Sequence, residues 1–590
     1  MSHITRTLSL SLIALAAGST TALAQSQVVV GPQVRMSPTG EQWHECSIAV
    51  QQDDGRKTLV MATGSDANTV FISYASFDWV SAAVTQGNLG NCGGGDVFLR
   101  PHPTDGTIFF TALQGTDGSG QCGGTGGTTG LTCNLSDYEN QPISQAAWAG
   151  GGQCIGSFIF GWRKPSATTI DVLNDVYVFS NDLEDKPSLA IDTNTPFRTY
   201  LLRNNRTLTK GLAQYYDAVA TTPKAGANAW VDTITEPHPN WGSKDYQERG
   251  INQVVLDNGR IVAVSRDKDI GLGGLYNAKL PYVIYSDVDS NGQYGKDWKP
   301  DPVNPNDTFV VPILIAGNIT TIEATTTDTT GTGDTPAKVD RRKHAPSIAV
   351  ERIPNMNDNV YVAFVARSAI GSTNTDVYIS KSINAETHIS FPVNLQDFLQ
   401  ITDSMLGLTG NAAQADQFVP AIAVDGCGDL NIMFYDNRND PDLNDNIELV
   451  DVYFAHITGF GTLTPTITQR RLTPQSFRVD NLGQNNEPGF LGDYQNLAVT
   501  ADGKTIYAAY IARDSADPVN GALRCYAHRI VVKCPGLLAD FSGNGAVTQA
   551  DATQFMAAFT AQDKRADVNL DWNVDVDDLL TFNRWFNQER

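Results

Sequence analysis

Two stretches, VYVAFVARS from Val360 and IYAAYIARD from Ile506, decide the fold. Each is an apolar run rich in β-branched and aromatic residues that closes on an arginine, the pattern of a strand buried on both faces. One polar turn upstream of each lies a shorter apolar strand, PSIAV from Pro346 and NLAV from Asn496. That shorter anchor recurs as CSIAV from Cys46, PSLAID from Pro187, NQVVLD from Asn252 and PAIAVD from Pro420, and less clearly between Thr107 and Leu113. The anchors stand roughly 65 to 95 residues apart, with about two units between Cys46 and Pro187, so the spacing predicts six or seven copies. A sheet of three or four strands cannot bury both of its faces alone, whereas sheets set radially cover one another. The expected fold class is therefore all-β, a six- or seven-bladed β-propeller over residues 25–534, followed by a small α-helical calcium-binding domain over 536–590. The Gly-rich stretch from Gly115 to Gly130 and the Thr-rich stretch from Thr320 to Thr335 read as insertions between strands.

The carboxyl-terminal region carries two further patterns, DFSGNGAVTQAD from Asp540 and DVNLDWNVDVDD from Asp567. A calcium ion takes six to eight oxygens, and a 12-residue loop of this kind supplies them from positions 1, 3, 5, 7, 9 and 12. The first loop offers Asp540, Ser542, Asn544, the carbonyl of Ala546, Thr548 and Asp551. The second offers Asp567, Asn569, Asp571, the carbonyl of Asn573, Asp575 and Asp578. Val547 and Val574 hold position 8 in each, where a short strand pairing would tie twin loops together. Apolar residues follow at helical spacing, Phe555, Met556 and Phe559 after one loop and Leu579, Phe582, Trp585 and Phe586 after the other. Loop followed by helix, twice over, resembles a dockerin module. The resemblance implies calcium at two sites and docking onto a cohesin-like or cell-surface partner. Trp572 departs from the pattern at position 6, where glycine usually makes the sharp turn, and Asp stands at position 12 where ordinary EF-hands have Glu.

Residues 1–24 carry His3 and Arg6, an apolar run from Leu8 to about Ala17, and Ala22-Leu23-Ala24 as a small-residue cleavage site, which reads as a secretory signal peptide. No later stretch approaches the eighteen apolar residues of a membrane span, so an extracellular or surface-associated protein with no membrane span is expected. All eight cysteines fall after the cleavage site, and an oxidising compartment makes disulfides the default, with Cys122–Cys133 and Cys525–Cys534 as the local pairings. A formal charge of -23 excludes nucleic acid as the natural partner, because the phosphate backbone would be repelled.

The segment from Asp416, DQFVPAIAVDGCGDLNIMFYDNRNDPDLNDNIELVDVYFAHI, followed by FLGDYQNLAV from Phe490, is similar to bacterial sialidase-like (BNR/Asp-box) propeller proteins. DKPSLAID from Asp185 and HAPSIAV from His344 resemble matching blades, while SKSINAETHISF from Ser380 and SDVDSNGQYGKDW from Ser286 are degenerate Asp-box strings. The likeness spans about residues 40–530 and implies a fold before it implies an activity. Sialidase chemistry, as the resemblance implies it, needs three arginines on a sugar carboxylate, a tyrosine nucleophile with a glutamate, and an aspartate acid/base.

In a propeller the end of each second strand returns to the face where the first strand begins. Arg203, Arg266, Arg367, Arg438 and Arg513, joined by Lys186 and His344, should therefore share one face. Guanidinium forks there would suit carboxylate or sulfate. Asp267, Asp436 and Asp514 would alternatively pair with those arginines as struts between sheets. Tyr494 beside Asp493, and Tyr435 beside Asp436, are the phenols nearest a carboxylate, and a packed ring is the alternative role for each. Glu351 and Arg352 in ERIP fall in a turn on the opposite side. Two functions follow: a surface-attached propeller that binds and hydrolyses anionic extracellular glycans as a glycoside hydrolase, or a non-catalytic binding propeller with a calcium-binding anchor.

Overall fold

The computed structural model describes residues 26–589 apart from 66–69, 89–94, 105, 114–156, 164–170, 179–183, 193–197, 206–209, 218–229, 233–248, 267–280, 288–296, 300–312, 315–345, 353–356, 368–374, 384, 387–388, 390, 392–398, 401–405, 410–414, 444–446, 461–464, 480–482, 485–486, 489–490, 493, 535–538, 543–545 and 569–572. The signal sequence, the Gly-rich and Thr-rich stretches, Cys122, Cys133, His344 and Trp572 thus lie outside the described residues.

Seven antiparallel sheets of four or more strands follow in chain order. Their first strands are Gln42–Val50, Gly95–Pro101, Glu184–Ile191, Arg249–Val255, Ser347–Glu351, Gln417–Val424 and Asn496–Val499, and they define sheets 1 to 7. Each of these strands contacts the first strand of the next sheet, and Asn496–Val499 returns to Gln42–Val50. Thr107 to Leu113 proves to belong to the second strand of sheet 2, Ile108–Leu113; its first strand, Gly95–Pro101, lacks the Ile-Ala-Val signature.

Alternation along the second strands explains how both faces are buried. In Asn359–Arg367, Val360, Val362 and Phe364 join a core with Val262, Val264 and Val283 of sheet 4. Tyr361 and Ala363, pointing the other way, join Ile432, Phe434 and Ala455 of sheet 6. The same division holds in Lys57–Ser65, where Val60 and Ala62 face the core shared with sheet 7 and Leu59 and Met61 face sheet 2. Period-two geometry thus turns one continuous apolar run into two contact faces.

Polar side chains tie the first strands together where backbone pairing stops. Ser47 accepts the Leu99 N–H at 3.1 Å, Gln253 donates to the Ser188 carbonyl at 2.7 Å, Ser347 accepts the Ile422 N–H at 3.1 Å, and Gln495 donates to the Val419 carbonyl at 2.6 Å. Turns dock as well. Gly503 (φ +67°) sits in the turn before the second strand of sheet 7, where any Cβ would lie 2.2 Å from the Gly426 nitrogen, so only glycine fits both the conformation and the contact. Both degenerate Asp-box strings fall between the third and fourth strands of their sheets, after Pro281–Asp287 and Thr375–Ser382.

Sheet 7 is completed by the opposite end of the chain. Gln27–Val30 pairs with Leu523–Lys533 as its outer strand, in the register Gln27↔Lys533 to Val30↔Ile530. Val28 and Val30 pack on the core of sheets 1, 6 and 7, while Val29 faces the tail. A disulfide joins Cys427, in the first turn of sheet 6, to Cys534 at the end of Leu523–Lys533. The expected Cys525–Cys534 pair does not form: the two residues bracket one extended strand, and at ~3.3 Å per residue their separation far exceeds disulfide reach. Cys525 is instead a buried free thiol in the same core as the buried free Cys46 thiol of sheet 1.

Helix α1 (Gln549–Thr560) and helix α2 (Val576–Glu589) follow the two acidic loops. The Phe555 and Phe582 rings stack at 4.0 Å between them, and Val547, Val574, Trp585 and Phe586 share that core. The valines meet through this cluster, and no strand pairing between them occurs among the described residues.

The Cys427–Cys534 bridge closes a segment with a sequence separation of 107, so replacing both cysteines by serine should cost about 3–5 kcal/mol. The check is a lower urea midpoint with a steeper slope, because the unfolded chain freed of the bridge exposes more surface; an unmoved midpoint would mean that strand pairing alone holds the two segments together.

Candidate functional site

The strand-exit arginines stand at or near the ends of the second strands, in different registers. Arg266, Arg367 and Arg513 end the second strands of sheets 4, 5 and 7, Arg203 lies in that of sheet 3, and Arg438 follows Leu430–Asp436 of sheet 6 by two residues. The side chains of Arg203, Arg266, Arg367 and Lys186 lie outside the described residues.

Arg438 and Arg513 are built into the scaffold. The Arg438 guanidinium bonds Asp436 at 2.5 Å and the Gln469 amide oxygen at 2.6 Å, and it lies 3.9 Å from the Tyr453 ring centroid. Asp436 is fully buried; that burial raises its carboxyl pKa, against the opposing pull of Arg438. Arg513 donates to the carbonyls of Arg478 and Gly521, each at 2.6 Å, which pins two loops. Neither is a carboxylate strut between sheets: the Arg438 partners all belong to sheet 6, Arg513 holds loop carbonyls, and Asp514 pairs instead with Arg35 and Arg524 at 3.4 Å. Arg352 of ERIP, by contrast, binds Asp257 at 2.7 Å, tying sheet 5 to sheet 4.

The tyrosines are packed rings. Tyr435 donates its hydroxyl to the Ile511 carbonyl at 2.7 Å, and burial pushes its pKa well up. Tyr494 is buried with its ring centroid 4.6 Å from that of Phe98.

A different cation faces the ring of first strands. Arg100, in Gly95–Pro101 of sheet 2, donates to the Asn252 side-chain oxygen of sheet 4 at 3.1 Å and to the Leu99 carbonyl at 2.9 Å. Sheet 3 stands between sheets 2 and 4, so this bond runs inside the space that the first strands enclose. Burial lowers the guanidinium pKa to about 10, although the residue keeps some accessible surface. Among the described residues no carboxylate pairs with it. Strand-exit spacing gives no hint of Arg100. The available signal was its register: two residues after the strand irregularity, sheets 1, 3 and 6 carry Ala49, Ala190 and Ala423, and sheet 2 carries the arginine.

The tail loops bring together the donors that the described residues include. In the first, Asp551 accepts the Ser542 N–H at 2.8 Å and the Thr548 N–H and hydroxyl at 2.8 and 2.9 Å, while the Ser542 hydroxyl reaches Asp540 at 3.3 Å. Burial acts to raise the Asp551 pKa, but the bonds from Ser542 and Thr548 outweigh it and hold the carboxyl far below the usual range. In the second, buried Asp578 accepts the N–H groups of Val568 and Asp575 at 2.7 and 2.9 Å. Asn544, Asn569 and Asp571 lie outside the described residues, and Ala546 and Asn573 hold their places in the loops. Position 12 of each loop, Asp551 and Asp578, thus spends its carboxylate on backbone N–H groups of its own loop, and all-oxygen side chains of this kind are the donors a hard divalent cation takes.

A third group sits where the chain closes. Asp425, Asp429 and His456 lie with their ligating atoms within 4.8 Å. The Ser26 hydroxyl bridges His456 at 2.7 Å and Asp429 at 2.5 Å, and Asn431 meets the other His456 nitrogen at 2.9 Å. Burial raises Asp425 to about 6 against hydrogen bonds from Asn431, Cys427 and Asp429. The groups satisfy one another and fasten the first described residue to sheet 6.

No protein family and no curated protein matches the chain. Solved structures with partial similarity include a protein of unknown function from Dyadobacter fermentans (11% identity, 86% of this chain and 99% of that one, TM-score 0.39). The polysaccharide lyase Uly1 gives 10% identity over 86% of this chain and 99% of that one, with a TM-score of 0.40. The α-L-arabinanase of Penicillium chrysogenum complexed with arabinobiose gives 9% over 86% and 98%, with a TM-score of 0.33.

His528 supplies a pH test of the closure. It contacts the Gly31 carbonyl at 2.9 Å and the Tyr510 hydroxyl at 3.1 Å, and burial lowers its pKa from 6.5 to about 4. Between those values the unfolded chain binds the extra proton, so this residue's contribution is present above pH 6.5 and is lost as pH falls towards 4, by about 3 kcal/mol. The stability gap between the wild type and His528→Gln should therefore shrink by about that amount from pH 7 to pH 4.5 in urea melts. A gap that holds constant with pH would show that His528 is not kept neutral in the fold.

Proposed function

We propose that the chain is an exported, sialidase-like seven-bladed propeller that binds an anionic extracellular glycan and is anchored by a calcium-dependent dockerin-like tail. The ligand class rests on Arg100. A guanidinium enclosed by protein, with no counter-charge among the described residues, loses solvation that a bidentate carboxylate or sulfate would restore. In a chain of net charge -23, such a group marks the place where an acidic sugar substituent enters the space within the ring. Seven sheets whose first strands contact in sequence, the last reaching the first, support the blade count.

Binding is favoured over hydrolysis because the residues nearest to sialidase chemistry have other work. Tyr435 and Tyr494 are packed rings, and Asp436 is held by Arg438. Export is supported by the apolar leader pattern of residues 1–24 and by the Cys427–Cys534 bridge, which belongs to an oxidising compartment.

Calcium would be held by Asp540, Ser542, Thr548 and Asp551 in the first loop and by Asp567, Asp575 and Asp578 in the second, together with Asn544, Asn569, Asp571 and the carbonyls of Ala546 and Asn573. Its role is structural: it neutralises carboxylates gathered at the starts of α1 and α2 and so fixes the face offered to a cohesin-like or cell-surface partner.

A uronate- or sialate-terminated oligosaccharide should bind the wild type, and Arg100→Gln should weaken it at least about tenfold without lowering the melting temperature. Equal affinity in both proteins would remove the assignment. Independently, a chelator should lower the melting temperature of the full chain, and calcium should restore it; a tail indifferent to the ion would overturn the dockerin-like reading.

A further inference from the structure

A cleft of about 640 Å³ lies where the closing strand, the outer strand of sheet 6 and α2 meet. Sixteen residues line it, and none is Asp or Glu, although the chain as a whole carries 64 acids against 41 lysines and arginines. Three are arginines. Arg471 is committed to Asp451 at 2.6 Å, which leaves Arg470 from the body and Arg584 from α2 as exposed guanidiniums with no ion pair among the described residues. His528, at the inner wall, is kept neutral by burial.

The polar remainder of the lining is suited to hydroxyl groups. Gln27 accepts the Trp585 indole N–H at 3.3 Å, which leaves its amide N–H groups to donate, and Gln33 spends a donor on Tyr510 at 2.7 Å and keeps its oxygen. Thr581 adds a hydroxyl from the α2 wall, while the Thr473 hydroxyl is spent on Asp451 at 2.7 Å and on the Val452 N–H at 3.3 Å. Two cations from different parts of the chain, side-chain amides, a hydroxyl and a volume within the range of small-ligand sites define one ligand chemistry.

The geometry points to a second binding site here, for a sulfated or carboxylated saccharide of about two residues, held between Arg470 of the body and Arg584 of the tail. It is separate from Arg100 and does not rest on the reading of the ring. Because the walls come from both ends of the chain, a ligand in the cleft clamps α2 to the closing strand. Ligand and tail docking then stabilise each other by the same factor.

The test uses the full, calcium-loaded chain and a sulfated uronate disaccharide, with its desulfated analogue and inorganic sulfate as controls. Measured in the Arg100→Gln background, so that the Arg100 site is silent, the expected result is saturable binding that the double substitution Arg470→Gln/Arg584→Gln weakens at least about tenfold, with slower amide exchange across Gln27–Gln33 and α2 on binding. Undiminished binding by the double variant overturns the site, as does the absence of binding to a folded wild type. Inorganic sulfate binding as tightly as the disaccharide overturns its assignment to a saccharide. Loss of binding in Arg100→Gln alone would place the ligand in the ring and would also overturn it.

Discussion

The pairing of Gln27–Val30 with Leu523–Lys533 is the interaction on which the architecture depends. Sheets 1 to 6 are each completed by the segment that follows their first strand, but sheet 7 needs residues nearly five hundred positions away. Without that outer strand, Leu523–Lys533 would present a long unpaired edge carrying the buried Ile530 and Val532. The contact of Asn496–Val499 with Gln42–Val50 then sets sheet 7 beside sheet 1. Three other ties gather at the same seam: the Cys427–Cys534 bridge, the Ser26 contacts to Asp429 and His456, and the His528 contact to Gly31.

Much of this order is visible in the chain, because it follows from a local rule. A second strand that must be apolar on both faces cannot be disguised, and VYVAFVAR and IYAAYIAR announce radial packing as directly as a heptad announces a coiled coil. The helices after the acidic loops were equally legible, since aromatic residues at helical spacing have few alternatives. What stayed hidden depended on pairing between distant segments. QVVV at Gln27 is four residues long and reads as a strand of no stated partner. Cys427 and Cys534 are brought together only once sheets 6 and 7 are side by side, whereas proximity in sequence pointed to Cys525. Sheet 2 escaped because GDVFLRP places an arginine and a proline where other first strands have Ala and Val.

The candidate site shows the same division. Position along a strand correctly brings the exit arginines to one end of their sheets, but position does not say whether a charge is spent. Arg438 is spent on Asp436, Gln469 and Tyr453, and Arg513 on two loop carbonyls. A ring of sheets has a mechanical need for such groups, because strand exits are where backbone hydrogen bonding ends and loops must be held. Arg100 is the reverse case. It interrupts a register position that other sheets fill with alanine, costs solvation by its enclosure, and receives no carboxylate in return among the described residues. An expensive residue that the scaffold does not need is a better guide to ligand chemistry than a recurring one that it does.

Charge distribution carries the argument to the tail. A chain with net charge -23 concentrates carboxylates in the two loops, yet leaves the junction between α2 and the closing strand free of acid. If the junction existed only for packing, the contact of Val29 with the aromatic core and the Gln27–Trp585 bond would suffice, and acidic residues along its rim would go unselected against. Facing Arg470 and Arg584 across an open cleft raises the electrostatic cost of bringing tail and body together, because like charges approach. That cost is relieved by an anion between them. The repulsion and the cleft therefore have a common physical explanation in the proposed site: an acidic ligand held between Arg470 and Arg584 would couple the tail to the strand Gln27–Val30.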